Sequence, residues 1–176
     1  MPNWCENELR IDGTSEDVEK VFEFIKTEKS IFDFNQLIPY PQEYTEMDDE
    51  AATLGYEEFH KKYGENAKDG YNSGGYNWCI KSWGTKWNAC SPRREGDAMI
   101  FDTAWSPPQP VVIALAKMFP TVSFHLEYFE GGMGFAGGFS CMSLEYQKDD
   151  DMGEPLEPGK VYREWFTNEY AGRKGG

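Results

Sequence analysis

Residues 98–129, A-M-I-F-D-T-A-W-S-P-P-Q-P-V-V-I-A-L-A-K-M-F-P-T-V-S-F-H-L-E-Y-F, decide the fold. They open with alternating apolar and polar side chains, which is typical of a half-buried strand. A serine and two prolines break that pattern, and proline is well accepted at the start of a helix. Apolar side chains then recur at helical spacing up to Pro120, after which alternation resumes. The stretch therefore predicts a strand, a helix and a second strand.

The N-terminal part repeats this order. Residues 3–13 alternate loosely and end at Asp12-Gly13, so they predict a first strand. Thr14 or Ser15 then caps a helix whose apolar positions fall on one face. Residues 31–41 predict a short extended segment closed by two prolines.

The C-terminal part adds one more strand. The glycine-rich run G-G-M-G-F-A-G-G lacks the context of a phosphate-binding loop and predicts a hairpin turn, followed by a strand at Phe139–Tyr146. The complete order is β-α-β, an insertion, then β-α-β-β. This order predicts an α+β fold of the ferredoxin-like, split βαβ type, an antiparallel sheet with two helices on one face.

Charge and composition mark two segments that differ from this pattern. Between Gln42 and Gly75, nine acidic side chains face three basic ones, and part of the stretch has helical spacing. We predict one domain over residues 1–147, with an acidic, partly helical insertion at about 42–77. Residues 148–176 are interpreted as an acidic linker and a C-terminal tail.

The net charge of −14 limits the classes of partner. A field of this sign repels phosphate backbones, so generic nucleic-acid binding is disfavoured. No segment has the apolar length of a membrane span and the N-terminus does not read as a signal peptide, so we expect a cytoplasmic protein without a membrane partner. Its four cysteines are expected to be free thiols, and oligomerisation is left open.

The tryptophan-rich centre is the main candidate binding site. Trp83, Trp87 and Trp105 are able to stack a planar ligand or a base, with Lys86 and Asn88 supplying a charge and hydrogen bonds. Core packing is the favoured alternative, because the chain is rich in aromatic residues and modest in aliphatic ones. Lys86 is the residue that packing explains least.

A second candidate lies on the strand V-S-F-H-L-E-Y, where alternation puts His125 and Glu127 on one face. An imidazole beside a carboxylate is a minimal acid–base pair, although an exposed strand face needs no function. No residue is assigned a catalytic role. The cysteine spacing and the two histidines do not form a metal motif, and no cofactor is expected.

Four segments in combination resemble a known family: M-P-N-W-C-E-N, W-G-T-K-W-N, F-D-T-A-W-S-P-P and L-E-Y-F-E-G-G-M-G-F-A-G. Together they resemble the YubB-type ferredoxin-like domain family, whose members are carried mainly by phages and plasmids. The resemblance runs from Met1 to about Tyr146 and leaves the tail uncovered. It implies the ferredoxin-like fold and a mobile-element setting, and it implies no activity.

These observations favour a non-enzymatic accessory protein of a mobile element that binds a protein partner. One alternative is a ligand- or nucleic-acid-binding module that uses the tryptophan-rich centre. The other is an enzyme of unknown chemistry. Exposure of the three tryptophans distinguishes the first two hypotheses, and a pocket that joins His125 or a cysteine to a carboxylate would favour the third.

Overall fold

The computed structural model describes residues 3–64, 74–149 and 157–168. Within these residues, six strands form one antiparallel sheet in the order β2-β3-β1-β4-β5-β6. The strands are β1 (Trp4–Asp12), β2 (Cys90–Glu95), β3 (Ala98–Ala104), β4 (Ser123–Glu130), β5 (Phe135–Cys141) and β6 (Val161–Thr167). The first four strands have the order of a ferredoxin-like sheet, so the predicted fold class is confirmed.

Six helices accompany the sheet in the described part of the chain. They are α1 (Ser15–Ile25), α2 (Gln42–Thr53), α3 (Tyr56–Tyr63), α4 (Tyr76–Ser82), α5 (Gln109–Met118) and α6 (Leu144–Asp149). Helices α1 and α5 connect the strands of the two βαβ halves, α2 and α3 lie in the predicted insertion, and α4 begins at its end and extends beyond it to Ser82. None of the described helices is long and apolar enough to cross a membrane.

The core lies between one face of the sheet and helices α1 and α5. Every second residue of β1 is buried, as the period of a strand requires when one face is covered. The buried cluster joins apolar side chains of four strands to those of the two helices, including Leu9, Phe101, Leu126, Phe139, Val21 and Leu115. Edge-to-face contacts link Phe32, Phe34 and Phe101, so aromatic rings fill much of this core.

Three element predictions were wrong in detail. Residues 31–41 do not form a strand; they contain a 3₁₀ turn at Phe34–Gln36, in which the Asp33 side chain accepts a hydrogen bond from the Asn35 amide. The second strand of the first half is β2, which sequence alternation missed. The last predicted strand begins earlier, at Phe135, and residues 144–149 form α6 instead.

Strand β5 is difficult to recognise in the sequence because it contains Gly137 and Gly138, which have no side chains to alternate. A Cβ placed on Gly138 would lie 2.7 Å from Nε1 of Trp165, because the indole of β6 lies directly over this glycine. On the other face, the Tyr128 ring covers Gly137 in the same way. The glycines thus accommodate neighbouring rings rather than forming only a turn.

The C-terminal segment contributes β6, which pairs with β5 from Val161 to Thr167. This strand lies inside the stretch interpreted as linker and tail, and the domain boundary at residue 147 stays a prediction. The two outer strands of the sheet differ. Both pair with a register shift, but β2 contains Pro92, which protects a sheet edge, whereas β6 contains neither proline nor lysine and exposes Trp165 and Phe166.

Candidate binding surfaces on the open sheet face

The sheet face opposite α1 and α5 is called the open face. On β1 it presents Trp4, Glu6, Glu8, Arg10 and Asp12, the positions that alternate with the buried ones. Strand register arranges the open face in rows across the sheet. One row contains Arg10, His125, Ser140 and Arg163, and the next contains Ile100, Glu8, Glu127, Gly138 and Trp165.

Carboxylates stand directly opposite each other at two places on this face. Glu6 of β1 pairs in register with Asp102 of β3, and Glu8 of β1 pairs with Glu127 of β4. Burial, together with the neighbouring Glu6, raises the pKa of Asp102 above its usual value. Like charges in direct cross-strand apposition destabilise a sheet. Arg10 pairs with Glu8 at 2.7 Å and Arg93 acts on Asp102, so the chain itself offsets part of this repulsion.

His125 forms a short chain of polar contacts on the same face. Its Nδ1 lies 2.8 Å from Oγ of Ser140, and its Nε2 lies 3.0 Å from Oδ2 of Asp12. The predicted partner of His125, Glu127, shares its face two positions along the strand, but the carboxylate that contacts the imidazole belongs to Asp12. The structure therefore joins a histidine to a carboxylate and a hydroxyl, drawn from three different strands.

A shallow groove of about 450 Å³ runs over these residues. Arg163 and Trp165 of β6 form one side, and Glu8, Arg10 and Glu127 line the floor. Glu8 accepts a hydrogen bond of 2.7 Å from Nε of Arg10. The groove thus offers cations, carboxylates and one exposed indole to a ligand.

Ser140, which contacts His125, lies on the inner strand β5. Strand β5 pairs with both β4 and β6, and its pairing with β6 shifts register between Ser140 and Cys141. Acyl transfer needs N–H donors aimed at the oxyanion of the tetrahedral intermediate, whereas paired strands direct most of their N–H groups to neighbouring strands. The chain of contacts fixes the imidazole and does not by itself provide acyl transfer.

Two of the predicted site residues serve the internal packing. Trp83 is 4% exposed, and its Nε1 donates a hydrogen bond of 2.8 Å to the carbonyl of Ile38. Oδ1 of Asn88 accepts a hydrogen bond of 2.9 Å from the Phe34 amide, and Nδ2 of Asn88 donates one of 2.7 Å to Oδ1 of Asp33. Both side chains secure the segment around the 3₁₀ turn against the loop before β2.

Lys86 lies among three aromatic rings. Its Nζ is 4.6 Å from the ring centroid of Trp87, 5.1 Å from that of Trp105 and 5.6 Å from that of Tyr76. Trp87 is half-buried, whereas Trp105 is 36% exposed. We call the group formed by Lys86, Tyr76, Trp87 and Trp105 the Lys86 cage.

Two hydrogen bonds hold the halves of this cage together. Thr85 Oγ1 donates to the carbonyl of Ala104 at 2.9 Å, and Ser106 Oγ donates to the carbonyl of Gly84 at 2.6 Å. Gly84 has a φ of 81°, and a Cβ there would lie 2.8 Å from Cδ of Pro110. Only glycine allows the two tryptophan-containing segments to approach so closely.

Two of the cysteines, Cys5 and Cys141, are poor nucleophiles in the folded protein. Cys5 and Cys141 are fully buried, and burial raises their pKa values to about 12 and about 11. A thiol is a nucleophile or metal ligand only as the thiolate, so these groups are chemically quiet near neutral pH. Among the described residues, no three His, Cys, Asp or Glu side chains are grouped to hold a metal ion.

Comparison with known proteins supports the fold. Residues 82–156 match the family model described as a ferredoxin-like domain in Api92-like protein. The match covers less than half of the chain and begins just before Trp83, so it includes W-G-T-K-W-N and T-A-W-S-P-P but neither β1 nor α1. The searches of curated proteins and of solved structures returned no match.

Sequence reasoning missed Tyr76 as a member of the cage, Trp4 beside it, and six members of the groove: Glu8, Arg10, Asp12, Ser140, Arg163 and Trp165. These residues lie on strands and helices far apart in the chain. The only signal in the sequence was the alternation that puts polar side chains on one face of β1 and β4. Strand register, which the sequence does not reveal, decides which of them meet.

Proposed function

We propose that the protein is a non-enzymatic binding module that uses the open face to hold a basic segment of a partner protein. The observation that carries the proposal is the apposition of carboxylates, Glu6 with Asp102 and Glu8 with Glu127, on a sheet face that α1 and α5 leave open. Cations from a partner would relieve the repulsion within each pair. The repulsion lowers the free energy of unfolding of the isolated protein, and its relief on binding would contribute to the affinity for the partner.

The field of the whole chain supports the same kind of partner. A net charge of −14 attracts a basic segment over a distance of about one Debye length, roughly 8–10 Å at physiological salt. The groove beside Trp165 is open to solvent and is lined by residues of β1, β4, β5 and β6, so a segment that crosses several strands would contact it. An indole at its side can stack on an arginine or cover aliphatic stems.

The open face gives less support to nucleic-acid binding. Ferredoxin-like sheets that bind RNA stack bases on aromatic side chains of their central strands. The corresponding positions here carry Glu6 and Glu8 on β1 and Ile100 and Asp102 on β3. Carboxylates at these positions repel a phosphate backbone.

The setting of the protein is part of the proposal. The YubB-type resemblance supports an origin on a phage or plasmid, and the match to an Api92-like domain is compatible with it. We place the protein in the cytoplasm, where a partner encoded by the host or by the element would be met.

The experiment compares two variants that lose the same charge. Asp102→Asn/Glu127→Gln removes one carboxylate from each apposed pair, whereas Glu28→Gln/Glu57→Gln removes two exposed carboxylates from other parts of the chain. Proteins retained by the wild type in extracts of the source cell are quantified for each variant, and binding of a lysine-rich peptide is measured by calorimetry.

We expect the open-face variant to lose at least about tenfold in peptide affinity, with the control within about twofold of the wild type. The same partner should be depleted only by the open-face variant. Equal losses for both variants would show a non-specific charge effect and overturn the proposal. Unchanged binding by the open-face variant would also overturn it.

A further inference from the structure

The Lys86 cage has the composition of a cation-binding site. Three rings surround one ammonium at 4.6–5.6 Å from their centroids, within the distance of about 6 Å at which a cation is attracted by an aromatic face. Proteins use such cages to recognise substituted ammonium groups. In the isolated chain the occupant is the side chain of Lys86 itself.

Trp105 combines a strained backbone with a partly exposed ring. Its φ of 68° lies in the left-handed region, which costs a bulky residue roughly 1–2 kcal/mol. A hydrogen bond of 3.0 Å from its amide to the carbonyl of Asn3 holds its backbone in this conformation. The carbonyl of the next residue, Ser106, accepts a hydrogen bond of 2.8 Å from Oγ1 of Thr103. Such strain clusters at functional sites, and here it holds a ring that is 36% exposed.

The cage adjoins the open face. Trp4, which is 39% exposed, belongs to that face, and its ring centroid lies 6.0 Å from that of Trp87. In register, Trp4 pairs with Ala104, the residue before Trp105, and the next row contains Glu6 and Asp102. A cation that approaches the cage therefore meets carboxylates one row away, about 7 Å along the strand.

We propose that the Lys86 cage is a binding site for an alkylammonium group, namely a lysine side chain of the partner, and that Lys86 is the internal occupant that this lysine replaces. The lysine as the source of the cation rests on the proposed function. The specificity for an ammonium group does not depend on the proposed function, because the rings of the cage already surround the ammonium of Lys86.

Replacement predicts that Lys86 competes with any external cation. Removing it should raise the apparent affinity, since an occupied cage reduces binding in proportion to the fraction of molecules that are open. Lys86→Ala empties the cage, and Lys86→Arg keeps it filled by a cation. We expect at least about tenfold tighter binding to Lys86→Ala than to the wild type or to Lys86→Arg.

The probe is Nα-acetyl-lysine methylamide, and its uncharged analogue Nα-acetyl-norleucine methylamide is the control. Binding is followed by the indole N–H resonances of Trp87 and Trp105 in the wild type, Lys86→Ala, Lys86→Arg and Lys86→Ala/Trp105→Leu. We expect saturable shifts with the lysine probe alone, weak in the wild type, strong in Lys86→Ala and lost in the double variant.

Two results would overturn the inference. One is the absence of any saturable shift in the wild type at high probe concentration, which needs no variant to fold. The other is equal binding of the norleucine analogue, which would make the site merely apolar. If the lysine probe binds the cage but the open-face variant keeps its partner, the proposed function is wrong and the cage inference holds. If the probe does not bind the cage but the open-face variant loses its partner, only the cage inference is wrong.

Discussion

Asp102 is the residue at which the open face is most readily tested. Its pKa is raised in the folded protein, so the folded state binds a proton more tightly than the unfolded chain does. Folding therefore becomes less favourable as the pH rises from below the unfolded value, about 4, through the raised folded value. We predict that Asp102→Asn stabilises the protein at neutral pH by up to about 1 kcal/mol.

This gain should shrink as the pH is lowered through the raised folded value and should be lost below about 4, where Asp102 is protonated in both states. Denaturant titration at several pH values measures it. Glu28→Gln is the matched control, because it removes the same charge from an exposed position. A gain that persists undiminished at low pH, or that Glu28→Gln reproduces, would contradict the explanation by apposed carboxylates.

Gly84 tests whether the two tryptophan-containing segments depend on a glycine contact. Gly84→Ala would place a Cβ against Pro110 and force alanine into a left-handed backbone. We predict a loss of about 1–3 kcal/mol in the free energy of unfolding. Gly131→Ala, whose Cβ would make only ordinary contact with Phe129, should change stability by less than about 0.5 kcal/mol. Similar losses for both variants would refute the prediction.

At the residue scale, the sequence analysis named some residues of each candidate site, and their role stays a prediction. Lys86, Trp87 and Trp105 were predicted together, and the structure does bring them together. Trp83 and Asn88 were predicted beside them, but hydrogen bonds to Ile38 and Asp33 engage them in the fold. Residue type alone does not distinguish a ring that anchors a core from a ring that lines a site, because both need the same apolar surface.

Strand β5 is the element that holds Ser140, the hydroxyl in contact with His125. It is paired on both sides, so most of its N–H groups point to neighbouring strands rather than to an oxyanion. We predict that a fluorophosphonate probe does not label Ser140, with active trypsin as the positive control in the same reaction. Stoichiometric labelling that is lost in His125→Ala would contradict this and favour the enzyme hypothesis.

Strand β6 is the element that completes the groove. A chain that ends at residue 149 would lose the indole that covers Gly138 and would leave β5 as the sheet edge. We predict a loss of roughly 2 kcal/mol or more relative to a chain that ends at residue 168, measured by thermal unfolding. Equal stability of the two chains would mean that β6 is an accessory to the fold.

The elements differ in how clearly the sequence marks them. Helices α1 and α5 were predicted because their apolar faces and their ends are both visible in the sequence. Strand β2, C-S-P-R-R-E, was missed because an edge strand exposes both faces and carries no alternation. Strand β5 was partly missed because its glycines have no side chains; the rings that cover them come from β4 and β6.

The molecule as a whole carries a field that should govern encounter. If a basic segment is the partner, its association rate should fall at least about tenfold between about 50 mM and about 500 mM salt. Stopped-flow measurement of tryptophan emission would report it. The dissociation rate should change much less, because the contacts in the groove and cage are screened less than the long-range field. A salt-independent association rate would count against steering by the −14 charge.

The uneven burial of the four thiols gives the protein a built-in place for a reporter. Cys5, Cys79 and Cys141 are enclosed, whereas Cys90 is half-buried and stands opposite Asp102 in the sheet. Maleimide chemistry should therefore attach one dye, and mildly alkaline conditions suit it because burial raises the pKa of Cys90. A fluorophore there would stand at the margin of the carboxylate pairs and near the loop that carries Lys86. The unaltered cysteine set thus allows occupancy of the open face to be read optically.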